Sequence, residues 1–194
     1  MDDQNKRLIE RLLTRIEEGP QSDNDQYWDA YRKRRPYPPV LAAEIERVEE
    51  ALGFYLPPLF KEMYQSIGDG GFGPGLMRLN PPRSAWNDAL NLDSIVFTYQ
   101  ELRRAYVEHA SEYWPEGIII ITDWGCNIYS CLDCLGEPEY PILRKDYNHS
   151  HDAFYRESPS LAQWLEAWLD ERSLSDMDVE AAEKLTFPAP ERLT

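Results

Sequence analysis

One short run, Gly68-Asp69-Gly70-Gly71-Phe72-Gly73, marks the place where the hydrophobic period of this 194-residue chain changes. That change constrains the fold more than any other feature. Upstream, apolar residues recur at helical spacing. Leu8, Ile9, Leu12, Leu13 and Ile16 form one stripe, stopped by Gly19-Pro20. Leu41, Ile45, Val48 and Leu52 form a second, with Gly53 where a left-handed helix end requires it. Pro57-Pro58 then suits entry into a third helix, whose apolar positions are Leu59, Phe60, Met63, Tyr64 and Ile67 and which Gly68 closes.

Downstream of Gly70 the apolar runs are short and broken by turn residues. The pattern predicts strands over 76–79, 95–97, 118–122, 127–133 and 140–144 and a helix over 99–112. Turns are predicted at Pro115-Glu116-Gly117 and Asp123-Trp124-Gly125. A last helix runs through Leu161, Trp164, Leu165, Trp168 and Leu169, opened by the capping box Ser160-x-x-Gln163, and its double-tryptophan face is expected in the core. Residues 1–40 read as an N-terminal helix plus a surface connection with a short helix around Tyr27 to Tyr31, and residues 41–170 as the main domain. Residues 171–194 read as an acidic tail packed on or near it, carrying one short helix.

Twenty Lys and Arg against thirty-five Asp and Glu give a formal net charge of −15. Such a field repels nucleic acid and attracts basic proteins. Arg32 to Arg35 form a basic patch, but in so acidic a chain these residues are expected to pair with its own carboxylates. No apolar run approaches the ~18 to 20 residues of a membrane helix, and the amphipathic start has no apolar signal core. The expectation is a soluble cytoplasmic protein, monomer or weak homodimer, with no nucleic-acid or membrane partner.

All three cysteines lie in Gly125-Cys126-Asn127-Ile128-Tyr129-Ser130-Cys131-Leu132-Asp133-Cys134. The spacing C-x4-C-x2-C resembles a plant-type ferredoxin run, which needs a fourth cysteine the chain does not have. On a strand, Cys131 and Cys134 face opposite sides, and Cys126 and Cys134 lie about 26 Å apart at ~3.3 Å per residue. His149 and His151 could join a Cys/His zinc set, and a Cys131–His149 dyad stays open, but no other element of a zinc fold is present. The glycine run matches G-x-G-x-x-G, yet it closes a helix instead of opening one, which removes the dinucleotide reading. Its glycines are better explained by positive φ at a helix stop and tight turn. No catalytic, cofactor or metal site is therefore assigned; a zinc- or thiol-dependent enzyme stands as the alternative.

The ordered set Glu49, Leu52, Gly53, Leu56, Pro57, Phe60, Tyr64, Gly70, Gly71, Pro115, Gly117, Asp123, Gly125, Tyr129, Leu132 and Asp133 resembles the SUKH superfamily. The resemblance spans about residues 41–169 and points to the branch named for the yeast cell-wall assembly regulator. Asp69, Trp124 and the long extension before Leu41 depart from the usual pattern. The resemblance implies a single α+β domain with a central, mostly antiparallel sheet flanked by N-terminal helices and a C-terminal helix. It also implies binding without catalysis: bacterial members neutralise toxins, often nucleases, and fungal members act as signalling scaffolds. A basic toxin domain is the expected partner, a regulatory scaffold unrelated to toxins a further alternative. Asp69, Trp86, Asp88, Asp93, Asp123 and Trp124 are the expected contacts, because loops with aromatic and acidic character combine anchoring area with electrostatic steering.

Overall fold

The computed structural model describes residues 3–18, 36–74, 92–109, 113–136, 138–151, 153–170, 172, 174 and 177–187. In chain order the elements are α1 (Asp3–Glu18), α2 (Ala42–Leu52), α3 (Pro58–Ser66), α4 (Leu92–His109), β1 (Ile118–Gly125), β2 (Ile128–Asp133), β3 (Ile142–Asp146), β4 (Phe154–Ser158), α5 (Leu161–Leu169) and β5 (Lys184–Leu185). The expected short helix near residues 27–31, the basic patch at 32–35, the strand at 76–79, and Trp86 and Asp88 lie outside the described residues.

The helices form where the apolar stripes place them. α1 buries Leu8, Ile9 and Leu12, and is held on α5 by Arg11, 2.8 Å from Asp170, and by the Arg15 guanidinium 5.6 Å over the Trp168 ring. At the start of α2 the Leu41 N–H donates to Glu44 Oε2 at 2.6 Å, and α2 ends on Gly53 at φ 83°, a conformation that favours glycine. Glu49 then ties two helices together. Its Oε1 accepts the Leu56 N–H at 2.7 Å and lies 3.0 Å from Lys61 Nζ on α3. The motif residues Glu49, Leu52, Gly53, Leu56 and Pro57 thus build one joint: a carboxylate clamp, two buried leucines, a left-handed cap and a proline entry.

After α3 the glycine turn packs against residues 36–40. Tyr37 N–H donates to Gly70 O at 3.2 Å, Asp69 N–H to Pro38 O at 3.2 Å and Val40 N–H to Tyr64 O at 3.1 Å. At Gly68 an added Cβ would stand 2.1 Å from the Tyr37 carbonyl oxygen, so the close approach itself demands glycine.

The five strands form one antiparallel sheet in sequential order, β1-β2-β3-β4-β5. Neighbours Ile118 and Ile119 leave opposite faces of the sheet, and both are buried; the same holds for Ile142 and Leu143. Both faces of the sheet's centre are therefore covered, with Phe60, Met63, Tyr64 and Trp164 in the same core.

Four expectations need correction. Residues 95–97 are helical, inside α4: Ile95 is buried, Phe97 is exposed and Tyr99 is buried, which is the spacing of one helix face and not of a strand. Asp123-Trp124-Gly125 belongs to β1, and the turn is Cys126-Asn127. The third strand starts at Ile142, because Tyr140 sits at φ 51° and its N–H is used by Gly136 O in a turn. In the acidic tail, residues 184–185 are a strand on β4. β4 itself carries no strong sequence signal, since Phe154 and Tyr155 are followed directly by Arg156 and Glu157.

Candidate partner-binding surface

The β1–β2 hairpin projects its two-residue turn beyond the sheet. Cys126 and Asn127 have φ of 51° and 64°, the mirror-image turn geometry that matches the twist of two paired strands. Asn accepts this conformation more readily than most residues, whereas Cys does not. The tip is held from outside. Asn148 Nδ2 donates to Cys126 O at 2.5 Å, the Tyr147 N–H donates to Asn127 O at 3.2 Å, and Asp123 Oδ1 accepts the Gly125 N–H at 2.7 Å. Asp123 is exposed; Trp124 is half-buried.

Trp124 is positioned by a buried polar chain. Its Nε1–H donates to Ser130 Oγ at 2.7 Å, and Ser130 Oγ donates to Glu157 Oε2 at 2.6 Å. Glu157 Oε1 accepts from Arg144 Nη2 at 2.9 Å and from Trp164 Nε1 at 2.8 Å, while Arg144 Nε reaches Oε2 at 3.1 Å. The Arg144 guanidinium also lies 5.3 Å from the Trp124 ring centroid. Both side chains of the ion pair are 3% exposed. A bidentate guanidinium–carboxylate pair whose carboxylate also accepts from Ser130 and Trp164 is the arrangement in which burial of charge is tolerated. The indole of Trp124 is thus fixed on one side by the sheet interior, which leaves the other side and the neighbouring Asp123 for contact.

The same end of the sheet carries an aromatic group. Tyr129 meets Tyr147 edge-on at 6.1 Å, Tyr147 meets His151 at 5.6 Å, and His149 meets Tyr155 at 5.5 Å. Lys145 is fully buried among them, with Nζ 4.8 Å from the Tyr147 centroid and 4.7 Å from that of Phe154, donating to His151 O. Burial, then the Asp123 charge, pushes the Tyr129 hydroxyl above its ordinary value.

Of the other expected contacts, Asp69 sits on the glycine turn, partly exposed, and Asp93 lies in the first turn of α4. The structure brings Asp123 and Trp124 together on one hairpin and leaves Asp69 and Asp93 on separate elements. Tyr64, below Asp69, is fully buried and its hydroxyl has no hydrogen-bond partner among the described residues. Burial and then the Asp69 carboxylate raise its pKa well above the ordinary value.

The cysteines are spread over three settings. Cys126 is exposed in the turn, Cys131 is buried mid-strand, and Cys134 is buried in the turn after β2. The strand starts one residue later than the 127–133 expected, and Cys126 and Cys134 lie outside it. Burial raises the Cys131 and Cys134 thiols, Glu157 adding to the shift at Cys131 and Asp133 at Cys134, so neither is poised as a thiolate. Among the described residues no three His, Cys, Asp or Glu side chains converge as a metal set. No described helix is long and apolar enough to cross a membrane.

Sequence reasoning missed Glu157, Arg144 and Ser130. No local signal marked them: it is the register of β3 with β4 that sets Glu157 on the face opposite Phe154, beside Arg144.

A search of the curated proteins finds no match. Residues 39–167, more than half of the chain, match the SMI1 / KNR4 family (SUKH-1). The chain belongs to this family.

Proposed function

From that membership we propose that the chain is a non-catalytic protein-binding domain, with residues 41–170 as its binding unit, acting as an immunity-type inhibitor. Its partner is a basic toxin domain, such as a nuclease, neutralised by direct contact in the cytoplasm. The observation that carries the reading is the pairing of the family match over residues 39–167 with a net charge of −15. Nuclease surfaces are basic because they grip phosphates, so an acidic inhibitor gains association rate and can cover the catalytic cleft.

Asp123 and Trp124 are the centre of the contact surface, with Asp69, Trp86, Asp88 and Asp93 as further contacts. Trp124 suits an anchor because the Ser130–Glu157–Arg144 chain holds its ring in place, so little side-chain freedom is lost on binding. The buried, protonated thiols of Cys131 and Cys134 favour this reading over thiol chemistry.

The test is co-expression with the products of adjacent genes. A stable complex with a toxin-like product, rescue of growth by this chain, and an association rate that falls steeply with ionic strength are expected. Complexes formed only with regulatory proteins, and no rescue from any neighbouring toxin, would establish the scaffold reading instead.

A further inference from the structure

The sheet has two edges, and they differ. β1 is eight residues long, bulged between Ile120 and Thr122 and between Asp123 and Gly125, and packed by α4. Bulges of this kind spoil an edge for further pairing. The other edge is β5, a two-residue strand from the tail that pairs regularly with β4 and covers what would otherwise be its open edge.

The tail fits the β4 edge by alternation. Phe154 opposes Leu185 and Tyr155 opposes Lys184, and Arg156 N–H donates to Glu183 O at 2.9 Å. Residues 183, 185 and 187 therefore share the face of Phe154 and Arg156. Glu183 Oε2 meets Arg156 Nε at 2.6 Å, and the Phe187 ring stands edge-on to Phe154 at 5.5 Å. The tail reads as a strand ligand of the form Glu-x-Leu-x-Phe on an edge of the form Phe-x-Arg. Yet its hold is thin: two ladder positions, one ion pair with side chains 35% and 58% exposed, and a half-buried leucine and phenylalanine. β4 beneath it is firmly built, with Phe154 and Tyr155 at 2% and 3% exposure.

We propose that the outer edge of β4 is a strand-docking site, filled in cis by residues 183–187 and taken over by an extended segment of a partner protein. That segment carries a carboxylate, an aliphatic and an aromatic side chain at alternating positions. The backbone ladder supplies affinity and the alternating side chains supply selectivity, as in other strand-addition modes. The demand falls on one local segment and is compatible with a partner that is basic overall. The site rests on the reading of this chain as a protein-binding domain, and the tail makes it self-inhibited: the incoming strand must displace Glu183, Leu185 and Phe187.

The test uses the full chain and a fluorescent peptide with the sequence of residues 181–190. Wild-type chain should bind it weakly, and Phe187→Ala, which loosens the internal competitor, at least about tenfold more tightly. Arg156→Glu placed on the Phe187→Ala chain, where the tail no longer competes, should bind at least about threefold more weakly than Phe187→Ala alone, and a peptide carrying Arg at the position of Glu183 should restore binding to that double variant, which also shows it to be folded. Equal binding by Phe187→Ala with and without Arg156→Glu, no gain in Phe187→Ala, or no rescue by the charge-reversed peptide overturns the proposal. So does a full-length dimer that Arg156→Glu dissolves, because the occupant is then a second copy's tail. The assay contains no toxin, so its result is independent of whether any toxin is neutralised.

Discussion

Two Arg–Glu pairs brace the same sheet and do opposite amounts of work. Arg144 and Glu157 meet at 2.9 Å with both side chains 3% exposed; Arg156 and Glu183 meet at the shorter distance of 2.6 Å with 35% and 58% exposed. The shorter contact is the weaker. In water-accessible surroundings an ion pair is screened and its long side chains give up conformational freedom to hold it. In the interior the pair contributes little compared with an apolar replacement, yet each partner becomes indispensable to the other. Surroundings, not separation, set what a break costs.

The sharpest way to break the comparison is Glu157→Ala. It strands the Arg144 guanidinium and the Trp164 indole N–H inside the core, and a loss of about 3–5 kcal/mol is expected in urea unfolding. The double substitution Arg144→Met with Glu157→Leu removes both charges and should cost less than the single one, which separates the cost of an orphaned charge from the value of the pair. Glu49 stands between the extremes, 10% exposed beside Lys61 at 31%. Glu49→Ala also leaves the Leu56 N–H unmet, and about 1–3 kcal/mol is expected by the same measurement.

A titration of stability with pH gives the next smaller effect. Burial first, then Glu157, raises the Cys131 thiol in the folded state, against the opposing charges of Lys145 and Arg144. A group whose folded pKa lies above its unfolded one contributes stability below the unfolded value and loses it as pH rises, so stability should decline once pH passes the ordinary thiol value of 9.0. Cys131→Ala should shallow that decline, and an unchanged slope would locate it elsewhere, with Cys134 the next group to examine. Arg156→Ala has the smallest expected effect, within about 1 kcal/mol and shrinking further in high salt.

The helical half was legible in the sequence because its signals are local. Leu41, Ile45, Val48 and Leu52 describe one helix face without reference to anything else, and Gly53 and Ser160 mark ends through their own backbone and side-chain chemistry. The sheet half was most legible where apolar residues run together, as in Ile118 to Ile121, and less so at strand ends, where the boundaries at 127 and 140 were misplaced. Ile95-Val96-Phe97 carries β-branched and aromatic propensity that favours a strand, yet helical continuity with Tyr99 and Leu102 prevails and the segment packs as one turn of α4. At the candidate surface Asp123 and Trp124 were readable as an acid beside an aromatic. Glu157 was not, since nothing local distinguishes it among thirty-five acids; its role depends on strand register with Arg144, thirteen residues away. The Glu-x-Leu-x-Phe alternation of the tail, where a short helix was expected, has no meaning without the β4 edge opposite it.

The sequential order of the five strands has a kinetic consequence. The ladders of β1 to β4 join strands separated only by loops, so this part of the sheet can assemble hairpin by hairpin, whereas β5 joins β4 only across α5. Docking of α1 spans the greatest separation, for Arg11 must find Asp170 across 159 residues. The sheet is therefore expected to zip early and the N-terminal helix to arrive last, so that Leu12→Ala speeds unfolding in stopped-flow traces while leaving the refolding rate almost untouched.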